Sequence, residues 1–415
     1  MRLTRHTPRS LLKRGLISVL YAQITIIVSL MTTSAIRKRL RGTHAKPFPV
    51  TPPTTTAIGA DNTATTFTFG EDLYADMLDS IDSAKHRILF ETFIWKGDVV
   101  GKKFKQALID AADRGVEVFV IYDRFANLVV SPKFLSFPPA INVLRYPIFS
   151  MGMLLLDFRR FGRDHRKILV VDGEVGYVGG YNIGKAYATK WRDTHIRIEG
   201  VSAWDLDNAF VDFWNLCHNH GGRLLKEHGS SSWEPQIRAH RNVPRQLVFP
   251  IRGMYLEAID RAQRHILITQ AYFIPDRDIL SALLDAAARG VEVKILVPEI
   301  SNHVVADWLS RGFYTTLLKG GVRILLYQDA MVHAKTATID GKWTTIGTAN
   351  IDRLSLTGNY EINLEILDDD LADHMEHVFA NDSGNTRELT AADWSSRPWV
   401  AKACELILAP LRPLL

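Results

Sequence analysis

The chain has 415 residues, of which 47% are hydrophobic and 23% are charged. This length and composition are those of a folded protein with more than one hydrophobic core. The net charge of +5 suits an anionic partner without distinguishing nucleic acid from anionic lipid, and the two cysteines exclude a disulfide framework.

The N-terminal residues carry the first functional signal. Residues 15–36 contain no formally charged side chain, and arginines and lysines flank them on both sides. As a helix this stretch would span about 33 Å, enough to cross a hydrocarbon core of about 30 Å. We therefore predict a membrane anchor within residues 1–45, with a cleaved signal peptide or a basic helix on the membrane surface as alternatives. Because both flanks are basic, the sequence does not indicate an orientation.

Residues 46–66 are rich in proline and threonine. Pro47, Pro49, Pro52 and Pro53 fall in the first part of this segment, and a run of threonines follows. Such a composition is typical of an extended linker. We predict that it separates the folded part of the chain from the anchor.

The rest of the chain contains an internal repeat. Residues 87–95 and 265–270 are predicted as buried strands, and each is followed by a helix that ends at a glycine and by a second strand. Residues 110–118 closely match residues 285–293. Strands that alternate with helices predict an α/β fold with a mostly parallel sheet. The repetition predicts two such halves in a pseudo-two-fold arrangement.

These patterns define the predicted boundaries. The first lobe covers residues 67–235 and the second covers residues 236–385. Within the first lobe, residues 149–161 are apolar and then basic, which suits either a packing loop or a surface that touches acyl chains while arginines hold lipid phosphate. Residues 386–415 end in an amphipathic helix, which either docks on the folded part or makes a second membrane contact.

A more specific motif occurs twice, with the copies 168 residues apart. The two copies are His165-x-Lys167-x4-Asp172 and His333-x-Lys335-x4-Asp340. At matching distances downstream, each copy has a glycine turn with an asparagine, Asn182 or Asn350, and then a carboxylate, Asp193 or Glu361. A single copy would be a weak signal, but two copies with identical spacing indicate one shared active site.

The position of each motif on its strand predicts which side chains act together. Residues i and i+2 of a strand point to the same face, so each histidine projects with its lysine. The aspartate lies an odd number of steps further on, at the far end of the strand, where Gly173 or Gly341 signals a turn. We therefore interpret Asp172 and Asp340 as structural supports within the two catalytic motifs.

Two histidines in one site suit the cleavage of a phosphodiester. A neutral imidazole can attack phosphorus and form a phosphohistidine. A second, protonated imidazole can give a proton to the leaving oxygen, a role worth about 10²–10⁴-fold in rate, and then act as base for the incoming hydroxyl. This scheme requires no metal and no organic cofactor, and the sequence contains no acidic cluster of the metal-binding type.

The remaining polar residues of the motif are assigned to the phosphate and to the histidines. Four side chains are predicted to hold the non-bridging phosphate oxygens: Lys167, Lys335, Asn182 and Asn350. Asp193 and Glu361 are predicted to bond to the histidines and orient them, because a neighbouring carboxylate favours the charged imidazole.

The paired motifs, with their downstream glycine and asparagine, resemble those of the phospholipase D superfamily. Residues 90–95 and 191–200 are similar to segments of the bacterial cardiolipin synthases, and the resemblance covers about residues 67–385. It implies two α/β/α sandwich lobes with a shared active site, and transfer of a phosphatidyl group through a phosphohistidine. It further implies that His165 is the nucleophile and that His333 is the acid and base. The N-terminal region departs from the usual pattern, since many such synthases have two membrane spans or none.

We therefore expect a membrane-associated phosphatidyl transferase, a cardiolipin synthase that acts on phosphatidylglycerol or a similar phospholipid. One alternative is a phospholipase D that uses water, because transfer and hydrolysis share every catalytic residue. Another is a nuclease or phosphodiesterase of the same superfamily, although no nucleic-acid-binding motif is present and no nucleic-acid partner is expected. Intact chemistry in both copies argues against an inactive membrane scaffold. The sequence does not indicate an oligomeric state.

Overall fold

The protein is described from a computed structural model. The described residues are 8–40, 47–149, 161–217, 223–227, 229 and 236–414. Strands and helices alternate through most of this chain and form two eight-stranded sheets. The α/β fold with two similar lobes is therefore confirmed.

The first sheet has the strand order β1-β2-β9-β7-β6-β3-β4-β5. Its strands are β1 (Thr54–Ile58), β2 (Asn62–Phe67), β3 (Arg87–Thr92), β4 (Glu117–Asp123), β5 (Ile141–Tyr146), β6 (Ile168–Val171), β7 (Val175–Gly179) and β9 (His195–Gly200). Strands β3, β4 and β5 are parallel, and the other neighbours are antiparallel, so the prediction of a mostly parallel sheet is wrong. The parallel strands read as nearly continuous apolar runs because both of their faces are buried.

The second sheet repeats this arrangement with the order β10-β19-β17-β16-β11-β13-β14-β20. Its strands are β10 (Ile237–Asn242), β11 (His265–Gln270), β13 (Glu292–Pro298), β14 (Arg323–Tyr327), β16 (Lys335–Ile339), β17 (Trp343–Gly347), β19 (Glu361–Leu367) and β20 (Thr386–Leu389). Strands β11, β13 and β14 are the parallel set and correspond to β3, β4 and β5. The two sheets thus share the order and direction of seven strands, and each has one further edge strand, β1 in the first sheet and β20 in the second.

Two short strand pairs lie outside the large sheets. They are β8 (Trp191–Arg192) with β15 (Met331–Val332), and β12 (Phe273–Ile274) with β18 (Ile351–Asp352). The first pair joins the two lobes, because one strand comes from each.

Helices cover both faces of each sheet. They are α1 (Pro8–Leu40), α2 (Gly70–Ser83), α3 (Val99–Asp113), α4 (Lys185–Lys190), α5 (Ala203–Cys217), α6 (Pro250–Arg261), α7 (Arg277–Ala288), α8 (Val304–Lys319), α9 (Arg353–Thr357), α10 (Asp369–Ser383), α11 (Ala391–Ser395) and α12 (Trp399–Leu408). Side chains alternate along β3, so Ile88 packs towards α2 and α3 while Leu89 packs towards α5. The core around α5 also contains Met375 and Val378 of α10, so the two lobes share one apolar layer.

The structure corrects two predicted boundaries. Residues 54–58 and 62–67, within the predicted linker of residues 46–66, are β1 and β2, and β2 pairs with β9. Threonine is β-branched and favours strands, so a threonine-rich segment can extend a sheet as readily as it can form a linker. At the other end, residues 386–389 were assigned to the tail, but they form β20 at the edge of the second sheet.

The N-terminal and C-terminal helices pack against each other on the second lobe. Residues Ile17–Ile36 of α1 are long and apolar enough to cross a membrane, and only 6% of this window is buried. The buried side includes Gln23, whose Nε2 donates to the carbonyl of Ile407 in α12 over 3.0 Å. Leu408 is fully buried in the same cluster. The tail therefore docks on the folded part, as one of its two predicted alternatives required.

Some of the predicted features cannot be placed. Of the apolar and basic segment at residues 149–161, residues 150–160 lie outside the described residues. Parts of the connection between the lobes, residues 218–222 and 230–235, also lie outside them.

Candidate active site

The two histidines lie where the lobes exchange short backbone pairings. Asp164, which precedes His165, pairs with Tyr360, and the amide of His165 donates to the carbonyl of Tyr360 over 3.1 Å. In the second copy, Val332 pairs with Arg192, and the amide of His333 donates to the carbonyl of Arg192 over 2.6 Å. Each histidine is thereby fixed beside the residue that precedes the carboxylate of the other half.

This exchange crosses the histidine–carboxylate pairs between the halves. Nδ1 of His165 is 3.0 Å from both carboxylate oxygens of Glu361. Nδ1 of His333 is 2.6 Å from Oδ2 of Asp193. When the carboxylates are ionised they can only accept, so Nδ1–H of each ring then donates and the lone pair of each Nε2 is left for other chemistry. Neither half can complete its histidine pair without the other.

The lysines lie against their own motifs. Nζ of Lys167 donates to the carbonyl of His165 over 2.6 Å, and Nζ of Lys335 donates to the carbonyl of His333. Both side chains are buried. Burial lowers the pKa of Lys167 to about 8 and that of Lys335 to about 7. Two cations whose charge lacks full solvation form a strong site for an anion.

The two carboxylates have opposite electrostatic environments. For Asp193, burial favours the neutral acid, but His333 and Lys335 outweigh burial and lower its pKa to about 2. For Glu361, burial dominates and raises its pKa to about 8, against the opposing effects of Lys167 and the Thr348 hydroxyl. Oγ1 of Thr348 donates to Oε2 of Glu361 over 2.6 Å.

Both imidazoles favour the neutral form in the empty site. Burial, followed by the charge of Lys335, lowers the pKa of His333 to about 3. Burial, followed by the charges of Lys167 and Lys335, lowers the pKa of His165 well below its usual value. An anionic phosphate beside the rings would favour their charged forms, so binding and protonation would be linked.

The asparagines of the motif are both buried but are held differently. Oδ1 of Asn182 accepts the backbone N–H of Ile94 over 3.0 Å, which fixes the orientation of its amide. Oδ1 of Asn350 is buried and has no hydrogen-bond partner among the described residues. A buried acceptor without a partner is costly, and a substrate donor would relieve that cost.

The motif aspartates lie at the far ends of β6 and β16, away from the histidines. The carboxylate of Asp172 accepts three backbone N–H groups at 2.8 Å, from Lys85, His86 and Arg87. Asp340 makes the same set of contacts at the start of β11. Both side chains are occupied in holding turns, which agrees with the interpretation of Asp172 and Asp340 as structural supports.

Aromatic rings that the sequence did not single out pack on the two histidines. The Phe93 and His165 ring centroids are 4.7 Å apart. His333 lies 4.9 Å from Trp191 and 6.3 Å from Tyr272, measured between ring centroids. Isolated aromatic residues carry no spacing signature, although Phe93 follows β3 and Tyr272 follows β11, at strand ends where site residues often lie.

A buried ion pair joins the lobes beside the site. The guanidinium of Arg192 donates to both carboxylate oxygens of Asp382 in α10, over 2.8 and 2.7 Å. Arg192 directly precedes Asp193, so this bidentate pair fixes the strand that presents the carboxylate.

The comparisons with known proteins agree with this geometry. A family model described as "Cardiolipin synthase, PLD-like domain" matches residues 77–214 and 255–383. The chain is 32% identical to the major cardiolipin synthase ClsA of Bacillus subtilis over 370 residues, which cover 86% of this chain and 76% of that protein. It is also 32% identical to the cardiolipin synthase of Geobacillus thermodenitrificans over 360 residues, which cover 84% and 71% of the two chains.

A solved structure supports the fold. The phosphatidylserine synthase of Haemophilus influenzae superposes with a TM-score of 0.65 at 15% identity, over 87% of this chain and 95% of that chain. The sequence relatives and the paired motifs identify the enzyme class. The chain therefore belongs to the cardiolipin synthase family of phospholipase D-like proteins and is a phospholipase D-type phosphatidyltransferase.

Proposed function

We propose that the chain is a membrane-associated cardiolipin synthase. It would transfer the phosphatidyl group of one phosphatidylglycerol, or a similar phospholipid, to a hydroxyl of a second and release glycerol. The observation that supports this most is the pair of crossed histidine–carboxylate contacts, His165 with Glu361 and His333 with Asp193, in one buried site. The names of the relatives supply the lipid substrate class.

In the first proposed step, Nε2 of His165 attacks phosphorus and the bond from phosphorus to the glycerol oxygen breaks. Nε2–H of His333 gives its proton to that oxygen, so glycerol leaves as a neutral alcohol. The ionised Asp193 stabilises the imidazolium form of His333 that this step consumes. Lys167 and Lys335 neutralise the non-bridging oxygens as charge builds up on them.

In the second proposed step, the enzyme is a phosphohistidine and His333 is neutral. Nε2 of His333 removes the proton of an incoming hydroxyl, whose oxygen attacks phosphorus and displaces His165. Water or any alcohol would balance the same atoms in this step, so the chemistry itself does not select the acceptor. The identity of the product therefore depends on which hydroxyl enters the buried site.

Asn182 and Asn350 would complete the substrate-binding site. The carbonyl oxygen of Asn182 is occupied by a backbone N–H, so its Nδ2 is the group available to a phosphate oxygen. The buried Oδ1 of Asn350 suits a hydroxyl donor, such as the alcohol of an acceptor lipid. The two asparagines would then divide the binding of phosphate and alcohol between them.

Membrane association is proposed from α1. Its segment Ile17–Ile36 presents an apolar surface of sufficient length, and few of its side chains pack on the second lobe. An enzyme with this anchor would remain in the membrane that contains its lipid substrate.

Analysis of the lipid products tests the proposal. Purified protein would be incubated in mixed micelles with phosphatidylglycerol labelled in its acyl chains, with and without added alcohols. Labelled cardiolipin with release of glycerol is the expected result. Phosphatidic acid alone, unchanged by added alcohols, would make the chain a hydrolase, and turnover of nucleic acid without any lipid turnover would make it a nuclease.

A further inference from the structure

The loops that follow β4 and β13 correspond in the internal repeat. Asn127-Leu128-Val129-Val130 and Asn302-His303-Val304-Val305 are 175 residues apart, the same offset as between β4 and β13. The loop of the first lobe, residues 124–133, is called the tip loop below. Its partner in the second lobe leads into α8.

Both asparagines tie their loops to the active site. Nδ2 of Asn127 donates to the carbonyl of Phe93 over 2.8 Å, and its Oδ1 accepts the N–H of Trp95 over 2.8 Å. Oδ1 of Asn302 accepts the hydroxyl of Tyr272 over 2.6 Å. Phe93 and Tyr272 are the residues whose rings pack on the catalytic histidines. The two loops therefore lie on opposite sides of one opening, as the pseudo-two-fold relation of the lobes requires.

The second-lobe loop is covered by the apolar N-terminal helix. Val305 belongs to an apolar cluster with Ile26, Ile27 and Leu30 of α1. This places the potential membrane-spanning helix directly beside the active-site opening. On this side of the opening, α1 therefore provides an apolar contact for Val305.

Three apolar residues of the tip loop are exposed, although Val130, the equivalent of Val305, is buried. Val129 is 85% exposed, Leu128 is 59% exposed and Phe125 is 53% exposed. Asn127, in the middle of them, is buried and fixes the backbone, so these side chains are held outwards by a rigid support. Exposed apolar side chains next to one another on a fixed loop are a feature of interaction surfaces.

Lysine side chains line a groove beside the tip loop. A groove of about 830 Å³ beside Val129 is lined by Lys96, Lys102 and Lys133. Among the described residues that line it, the one carboxylate is Asp98, and that side chain already accepts backbone N–H groups of α3 and of Lys185. The groove therefore presents net positive charge around an apolar centre.

We propose that the tip loop is a second membrane contact, which inserts Leu128 and Val129 into the surface of a bilayer that contains anionic phospholipid. The charge of the groove favours this partner, since each lysine near an anionic bilayer strengthens binding by about fivefold. Its position favours the same partner, because α1 occupies the matching place across the opening. The inference rests on the proposed action on membrane lipid.

Two contacts on opposite sides would hold the active-site opening against the lipid surface. A phospholipid headgroup could then enter between them without the enzyme leaving the bilayer. The tip loop would act on delivery of lipid and would leave the chemistry at His165 unchanged. This separation makes the proposal testable apart from catalysis.

The first test compares two substrates in the full-length double variant Leu128→Asp/Val129→Asp. We expect KM for phosphatidylglycerol in vesicles to rise about tenfold, because two apolar side chains are replaced by charges that anionic lipid repels. Turnover of a short-chain, monomeric phosphatidylglycerol should be unchanged. The control is Leu224→Asp, at a leucine that is 67% exposed in the connection between the lobes, and it should leave both unchanged. An equal loss on both substrates, or none on either, would overturn the proposal.

The second test reads insertion without any turnover. A spin label would be placed on Val129→Cys in a Cys217→Ser/Cys404→Ser background, and its collisions with oxygen and with a water-soluble nickel chelate would be measured. On vesicles with phosphatidylglycerol we expect more collisions with oxygen and fewer with nickel, and a smaller change on neutral vesicles. A label that stays accessible to nickel on an enzyme that remains active would overturn the membrane contact and leave the proposed function intact. Protection without vesicles would also overturn it, with a second copy of the chain as the partner if the protection rises with protein concentration, and residues 150–160 if it does not.

Discussion

In the first half of the active site His165 meets a glutamate, whereas in the second half His333 meets an aspartate. Glutamate is longer than aspartate by one methylene, and the residue that faces each carboxylate differs in size in the same sense. Gly180 faces Asp193, and a Cβ at Gly180 would lie 2.0 Å from Oδ1 of that residue. The equivalent position 168 residues later is Thr348, whose hydroxyl donates to Glu361.

The comparison shows that a repeated motif can be adjusted in compensating pairs. A short carboxylate needs a close backbone, and only glycine permits that approach. A long carboxylate leaves room for a side chain, and threonine uses the room for a hydrogen bond. The outcome is two histidine pairs of similar geometry with opposite electrostatics, since the pKa of Asp193 is lowered to about 2 and that of Glu361 is raised to about 8.

This asymmetry supports the proposed division of roles. A carboxylate that is firmly ionised favours an imidazolium on its partner, which suits His333 as the general acid. A carboxylate that resists ionisation gives its partner less support for a positive charge, which suits His165 as the neutral nucleophile.

The largest effect is expected from removal of either histidine. His165→Ala and His333→Ala should each lower kcat by about 10⁴-fold or more with phosphatidylglycerol. With a phosphatidyl ester of a good leaving group such as nitrophenol, His333→Ala should regain leaving-group release, because that step no longer needs an acid. His165→Ala should not regain it. Equal behaviour of the two variants with this substrate would remove the functional distinction between the halves.

Replacement of Gly180 in the first half by a larger residue should lower kcat by about 10²-fold. Gly180→Thr places a Cβ against the carboxylate of Asp193 and displaces it from His333, and small misplacements of catalytic groups have effects of this size. The double variant Gly180→Thr/Asp193→Glu copies the arrangement of the second half and should recover part of the loss. If Gly180→Thr alone is as active as the wild type, the pairing of residue 180 with residue 193 is wrong.

Loss of the threonine hydroxyl in the second half should have an effect of about tenfold on kcat/KM. Thr348→Val removes a hydrogen bond to a buried carboxylate, whereas Thr348→Ser keeps it and serves as the control. Because this bond lowers the pKa of Glu361, its loss raises that pKa further above about 8. The ionised carboxylate is needed as an acceptor, so the acid limb of the pH profile should move to higher pH in the valine variant alone.

The lysines should set the alkaline limb of the wild-type profile. Burial lowers the pKa of Lys335 to about 7 and that of Lys167 to about 8, so the charge is present below these values and lost as the pH rises through them. Ionisation of Glu361 offsets part of this loss up to about pH 8, so we expect kcat/KM to fall by at least about tenfold per pH unit above pH 9. Bound phosphate favours the charged amines, so the limb of kcat should lie at higher pH. A profile of kcat/KM that is flat to pH 10 would show that the free enzyme keeps both charges.

The smallest effect on turnover is expected at the motif aspartates. Asp172→Ala removes an acceptor of three backbone N–H groups, at a residue with a φ of 54°, and should destabilise the fold by about 2 kcal/mol. Asp172→Asn tolerates the left-handed backbone, keeps one acceptor and should lose less stability. The kcat of the folded protein should stay within about twofold in both variants. A large loss of kcat without a loss of thermal stability would return Asp172 to the catalytic group.

The sequence was sufficient to predict the lobes and most residues of the site, because the spacing of His165 and His333 to their downstream partners is repeated. It could not predict that Glu361 pairs with the first histidine and Asp193 with the second. The order of the motifs along the chain does not indicate which histidine lies beside which carboxylate. The pairing of β8 with β15 and of Asp164 with Tyr360 determines it. The two strands of residues 54–67 were missed because threonine-rich segments suit linkers and edge strands equally well.

The aromatic residues at the site were missed for a different reason. Phe93 and Tyr272 occupy non-equivalent places after β3 and β11, so comparison of the repeats does not align them. Thr348 stood within the repeated motif, but its function depends on the length of a carboxylate 13 residues later. A sequence pattern records the spacing of the residues and not which side chains meet.

Chemical trapping of the intermediate tests the division of roles most directly. Wild-type protein would be mixed with phosphatidylglycerol labelled in its acyl chains and quenched within the turnover time. The quench would preserve both the phosphorus–nitrogen bond and the acyl esters, and the protein would then be digested for peptide mass analysis. We expect the labelled phosphatidyl group to be attached to His165 and to be absent from His165→Ala. We also expect the label on His165 to decay when an excess of unlabelled phosphatidylglycerol is added as acceptor. A label on His333, or turnover without labelling of either histidine, would contradict this division of roles.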